Sequence, residues 1–270
     1  MLENKRWILS SLILSFFIIL PILTVFLKIF FQDRDGTLEY MLDSLILDYS
    51  INTFYLVLLT SVFSLVLGIF PAWLISLYRF PLRNFYDLVL FLPLAIPTYI
   101  MAFTYSDILS FTGPFQSFLR NYLPDIYPFF NKDYLQIEIL SVILAFALSP
   151  YIYSVSRVSF SLVGSSYIDL SKNLGLSSFK TFYKVILPLS LPAIFSGLFL
   201  VIMEVLNEYG AVKYFGVNTF TSGIFRSWFS FGDLNTAINL ASFLLIFVFL
   251  FFYLENFFTS RYKVNYKSNS

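Results

Sequence analysis

Cysteine and histidine are both absent from the 270 residues. Without thiols or imidazoles the chain builds no disulfide, no thiolate or imidazole metal site, no Ser-His-Asp triad and no cysteine nucleophile. Charge is scarce too, at 12% of residues, against about 25% in an ordinary soluble domain. The 17 Lys and Arg nearly cancel the 16 Asp and Glu, and a net charge of +1 gives no global field to draw in nucleic acid. No Gly-rich stretch ending in Lys-Ser or Lys-Thr follows a strand pattern, so nothing here binds ATP through a phosphate loop, and Gly113-Pro114 is a turn signal only. Apolar residues are what the chain has in quantity. They make up 58% of it, with 35 Phe and 19 Tyr, and the mean hydropathy is +0.78. Such a composition belongs in a bilayer.

A helix crossing about 30 Å of hydrocarbon needs roughly 20 mostly apolar residues. Six runs of that kind, bounded by charge, cover 7–31, 51–78, 85–109, 137–160, 189–206 and 237–258. The expected fold class is therefore all-α, a polytopic membrane protein with six transmembrane helices. The first run follows Lys5 and Arg6 as a signal peptide would, but it outlasts the apolar core of a signal and no small-x-small site follows, so it reads as a retained helix. Lys28 sits near its other end, where a long stem lifts the ammonium to the headgroups.

Lys and Arg fall unequally on the two sides. Lys5, Arg6, Arg79, Arg83, Arg157, Lys172, Lys180, Lys184, Arg261, Lys263 and Lys267 lie on one, against Arg34, Arg120, Lys132, Lys213 and Arg226 on the other. The richer side is expected to be cytoplasmic, with both termini inside. One membrane domain then fills 1–260, and a polar, basic tail covers 261–270. Pro21, Pro71, Pro93, Pro97, Pro150 and Pro192 fall inside the runs, where each removes a hydrogen bond and tends to bend its helix.

The cytoplasmic loop over 161–188 is not a plain tether. Ile168, Leu170 and Leu174 have helical spacing, Gly175 suits a left-handed stop, and Ser177 can cap a second short helix holding Phe179, Phe182 and Val185. Two short helices with exposed apolar side chains need a covering surface, either a protein or the bilayer with Lys172, Lys180 and Lys184 at anionic headgroups.

This loop resembles the signature of binding-protein-dependent ABC importer permeases: an acid and two alanines, Gly after three more residues, and after nine more a branched apolar residue, any residue, Leu and Pro. Asp169, Leu170, Ser171, Gly175, Val185, Leu187 and Pro188 occupy those places, with Asp for Glu and both alanines replaced. The resemblance implies the type I ABC importer permease fold in a bacterial inner membrane, and no cofactor. It also implies that this loop is a coupling helix seated on cytoplasmic ABC ATPase subunits, where ATP hydrolysis belongs. Two further stretches, 92–114 with Leu92-Pro93-Leu94-Ala95-Ile96-Pro97 and 204–229 with Glu208-Tyr209-Gly210 and Tyr214-Phe215-Gly216-Val217, are similar to ferric iron permeases of that group. Members usually join two six-helix halves, and this chain resembles the first. A separately encoded second half, a homodimer and a truncated product all remain open. A periplasmic substrate-binding protein is the implied external partner.

For cargo contact, Fe(III) favours carboxylate and phenolate oxygen, which singles out Tyr99, Tyr105, Asp107, Glu204, Glu208 and Tyr209 as a candidate translocation path. Helix-end acids and belt tyrosines have a plainer reading as residues reaching water and headgroups. Arg226 and Trp228 fit interfacial anchoring better than partner contact. Other solutes of the same machinery, such as thiamine, a polyamine or an oxyanion like sulfate, stand as alternatives. So does an ATPase-independent channel or scaffold whose loop lies on lipid.

Overall fold

A computed structural model describes residues 3–31 and 36–261. The described residues are helices and connecting turns: α1 (Glu3–Phe31), α2 (Gly36–Ser44), α3 (Ile46–Leu77), α4 (Arg83–Val89), α5 (Thr98–Leu109), α6 (Pro114–Tyr122), α7 (Tyr127–Phe130), α8 (Ile137–Leu162), α9 (Gly164–Asn173), α10 (Ser178–Thr181), α11 (Leu187–Asn207), α12 (Gly210–Tyr214), α13 (Phe220–Phe225) and α14 (Leu234–Arg261). Five stretches are long and apolar enough to span a bilayer, and a bent pair makes a sixth if counted as one span. The tail expected over 261–270 lies, beyond Arg261, outside the described residues, as do Asp33, Arg34 and Asp35.

Hydrophobic collapse does little to join helices that are already in lipid, so close contact depends on small residues that let backbones approach. α8 sits at the centre. Gly68 of α3 and Gly197 of α11 both lie against Ile152 of α8, and a Cβ added to Gly68 would come within 2.8 Å of the Ile152 Cβ. Matching contacts fix the directions. Tyr55 with Glu138 and Ser76 with Arg157 show that α3 and α8 run parallel, while Tyr151 with Glu204 and Val155 with Gly197 show α11 running the other way. α14 runs against α11 through Phe199–Phe252 and Phe195–Phe258. α1 lies at the edge on α14, tied by the Ser242 hydroxyl donating to the Val25 carbonyl, and its other surface is open.

The bundle therefore has two ends. Arg79, Arg83, Arg157, Lys180 and Lys184 collect at one, the basic end, and the connections from α5 to α7 and from α12 to α13 close the other. A buried core under the basic end joins Ala72 and Ile75 to Tyr153, Phe160, Val163, Phe182, Ile186 and Ile194.

The run over 85–109, expected as one helix, is broken. α4 passes through a 3-10 turn at Leu92–Ala95, and the chain then bends by 98° into α5. The cause is local. Pro97 pushes the preceding residue out of the helical region, and Ile96 is extended at φ −108° and ψ 120°. Pro71, Pro150 and Pro192 by contrast lie inside continuous helices.

Candidate functional site

The loop between α8 and α11 forms a knob at the basic end. α9 stops at Gly175, whose φ of +78° is open to glycine and strained for other residues. The Leu176 amide donates to the Ser171 carbonyl at 3.0 Å, the six-to-one bond of a Schellman stop. The chain restarts at once, with the Ser177 side chain accepting from the Lys180 amide. Asp169, Leu170, Leu174, Phe179 and Tyr183 are exposed, Leu174 at 73%. Ser171 is buried, its hydroxyl donating to the Tyr167 carbonyl at 2.7 Å.

The second half of the loop differs from the separate short helix expected there. α10 continues through a π-turn at Phe182–Ile186 into α11, giving one stretch over Ser178–Asn207. The Leu187 amide reaches the Phe182 carbonyl, five residues back, and this wider turn accommodates Pro188 without ending the helix. Phe182 faces inward, its ring 4.8 Å from that of Trp73 on α3. Val185 and Leu187 are half-buried and Pro188 is exposed. The knob presents Leu170, Leu174, Phe179 and Tyr183 outward beside Asp169, Lys180 and Lys184, and inward it is continuous with α11.

The six residues of the candidate path do not converge on one point. Glu208 ends α11 with both oxygens engaged, one accepting from the Ala211 amide at 2.8 Å and the other from the Thr98 hydroxyl. Tyr99 abuts this corner, because a Cβ on Gly210 would fall 2.8 Å from the Tyr99 Cβ and 3.6 Å from Glu208 Oε1. Glu204, one turn earlier, accepts from the Tyr151 hydroxyl at 3.3 Å. Tyr209 stacks on Phe225 with ring centroids 3.8 Å apart. It borders an open cavity of about 580 Å³ shared by Lys213, Asn218, Ser222 and Arg226. Asp107 lies elsewhere, in a cavity of about 420 Å³ with Ser106, Lys132 and Asp133, and Tyr105 is exposed. Tyr134 also lines that cavity. Burial pushes its phenol above the ordinary tyrosine range, and its hydroxyl donates to the Phe130 carbonyl. Among the described residues no three acidic side chains gather to hold a metal ion.

Residues 64–264 match the family described as binding-protein-dependent transport system inner membrane component. The chain belongs to this family. Among curated proteins the permease is similar to the sulfate transport system permease protein CysT of Salmonella typhimurium, at 31% identity over 158 residues, 58% of this chain and 54% of the relative. It is also similar to the Fe(3+)-transport system permease protein FbpB 2 of Haemophilus influenzae, at 25% over 242 residues, 90% of this chain and 44% of the relative. It thus spans about half the length of the curated relatives it matches. Among solved structures, a chain of a bacterial ABC transporter involved in import of the acidic polysaccharide alginate superposes with TM-score 0.74 at 16% identity, covering 97% of this chain and 98% of that one. A chain of the inward-facing MetNI methionine ABC transporter gives 0.66 at 15% identity, covering 86% and 100%. The permease accordingly has the all-helical type I fold of ABC importer membrane chains and is a multi-pass inner membrane component, not an enzyme.

Sequence reasoning passed over one constellation in the permease. Asp87 of α4 pairs with Arg157 of α8 and accepts from the Tyr153 hydroxyl at 2.5 Å. Arg157 enters the charge count of the richer side, and nothing local in the sequence marks Asp87. The available signal was the i, i+4 spacing of Tyr153 and Arg157, which puts both on one face.

Proposed function

We propose that this chain is the membrane-spanning subunit of an ATP-driven importer, with its basic end in the cytoplasm and its opposite end receiving cargo from an external binding protein. One observation carries this reading: the knob of α9 and α10 projects Leu170, Leu174, Phe179 and Tyr183 outward at the basic end while its inner side is fused to α11. A helix lying flat on lipid has no need of that continuity; a handle pushed by a docked ATPase does. Asp169, Leu170, Ser171, Gly175, Val185, Leu187 and Pro188 form this handle. A second membrane half, either another chain or another copy, completes the pathway, in keeping with the match of 90% of this chain to only 44% of FbpB 2.

The cargo we propose is ferric iron, because similarity to the Fe(3+) permease extends over 90% of the chain. Tyr99, Glu204 and Tyr209 would offer it passing oxygen contacts, while tight capture rests with the binding protein, since no acidic cluster gathers among the described residues. A second reading, sulfate or a similar oxyanion, is favoured by the CysT relatives and by the cavity where Lys213 and Arg226 meet without a carboxylate in its wall.

The test is ATPase activity of the reconstituted complex with binding proteins loaded with Fe(III) or with sulfate. Stimulation by the iron-loaded protein alone supports the first cargo, and by the sulfate-loaded protein alone the second. Failure of any nucleotide-binding subunit to copurify, together with undiminished import by a Gly175→Val variant, would overturn the importer reading itself.

A further inference from the structure

We infer that Asp87 is a positioning residue for energy coupling, the joint through which movement of the knob reaches the broken span. The inference deepens the importer reading and rests on it.

The broken span is fastened at both ends by a carboxylate, each time to a different part of the bundle. At the basic end Asp87 on α4 holds the Tyr153 hydroxyl with one oxygen and the Arg157 guanidinium with the other. Four residues on, Phe91 packs edge-on against the Tyr153 ring, with centroids 5.2 Å apart. α4 and its 3-10 extension therefore grip one face of α8 by a polar and an aromatic contact at helical spacing. At the other end the Thr98 hydroxyl donates to Glu208, which also accepts from the Ala211 amide, tying the start of α5 to the corner of α11 and α12. Between these anchors Ile96 is extended and the axis turns by 98°. That is the weakest point of the span, because the helical hydrogen-bond ladder is interrupted there.

α8 is the helix that leads into the knob. Its last turns carry Phe160, and Val163 follows; both are buried with Phe182 and Ile186 in the core beneath α9 and α10. A push on the knob displaces the end of α8, and Asp87 is the polar contact through which α4 follows. α4 is also held to α3, since Arg83 Nε donates to the Ile75 carbonyl at 2.7 Å across a turn in which Leu82 takes a left-handed φ of 61°. With one end held by α3 and the other by Glu208, displacement at Asp87 is taken up at the bend. The pair is partly exposed at the basic end, the Asp87 side chain at 19% and that of Arg157 at 36%, and it is the one salt bridge among the described residues.

The test uses the whole reconstituted complex with Asp87→Asn, and with Tyr153→Phe as a milder variant that keeps the ion pair. For Asp87→Asn we expect assembly with the ATPase and basal hydrolysis within about twofold of the parent, but a loss of stimulation by loaded binding protein and a fall in transport of about tenfold or more. Tyr153→Phe should give an intermediate loss, and Asp87→Glu should recover part of the coupling. The absence of natural cysteine allows a direct readout. Spin labels at Leu92→Cys and Leu162→Cys should change separation on nucleotide binding in the parent and not with Asp87→Asn. If Asp87→Asn remains fully coupled, the inference is overturned while the importer reading stands. If Asp87→Asn does not assemble, Tyr153→Phe combined with Arg157→Gln, which leaves Asp87 without either partner, decides, and full coupling there overturns it equally. If the parent complex shows no coupling at all, it is the importer reading that fails.

Discussion

Glu208 shows how the same side chain reads differently in sequence and in space. Four residues from Glu204, it suggests a metal-facing pair, yet its oxygens are taken by the Ala211 amide and the Thr98 hydroxyl. An amide side chain retains one carbonyl oxygen for Ala211, and the Thr98 hydroxyl can turn to serve as acceptor. Glu208→Gln is therefore expected to keep thermal stability and most transport. Glu208→Ala leaves the amide unpaired and should cost about 1–3 kcal/mol. Thermal unfolding in detergent checks the pair of variants, and a Gln variant that is stable yet loses only iron transport would assign Glu208 to the cargo instead.

At the scale of elements, the helices meet where side chains are missing. Ile152 receives α3 at Gly68 and α11 at Gly197, and at Gly68 the nearest atoms are its Cβ and Cγ2, each 2.8 Å from an added Cβ. A β-branched side chain has little freedom to step aside, so the helix axes must shift. Gly68→Ala is expected to destabilise the bundle by about 1–3 kcal/mol, read as a lower melting temperature in detergent. The broken span is the opposite case. There a proline dictates the local geometry, and the hydrogen bonds at its two ends hold the bend in register with the bundle.

For the whole molecule, the two ends differ in charge and in shape. The end with the knob carries Arg79, Arg83, Arg157, Lys180 and Lys184, so it should face the cytoplasm. Because the chain has no natural thiol, Leu174→Cys supplies a single target at the tip of the knob. A membrane-impermeant maleimide should leave it unmodified in intact cells and label it in inside-out vesicles, and bound ATPase should protect it. Labelling from outside intact cells would reverse the topology.

How much of this was legible beforehand differs from feature to feature. The apolar runs behind α3, α8, α11 and α14 were visible because lipid imposes a length and composition requirement that each segment meets alone. Gly175 and Ser177 were visible for a similar reason, since a left-handed stop and a helix cap are decided within a few residues. The 98° bend lay hidden in a run of the right length and hydrophobicity, although Pro93 and Pro97 marked its place. Asp87, Tyr153 and Arg157 stand on two helices some seventy residues apart, and the partner of each is chosen by how α4 lies on α8. By itself the sequence determined what each segment must be in a membrane: its span, its caps, its charged end. Only the tertiary structure decided which carboxylate meets which cation and which acids are spent on holding helices together. Those pairings depend on distances between segments, and no local preference of the chain encodes them.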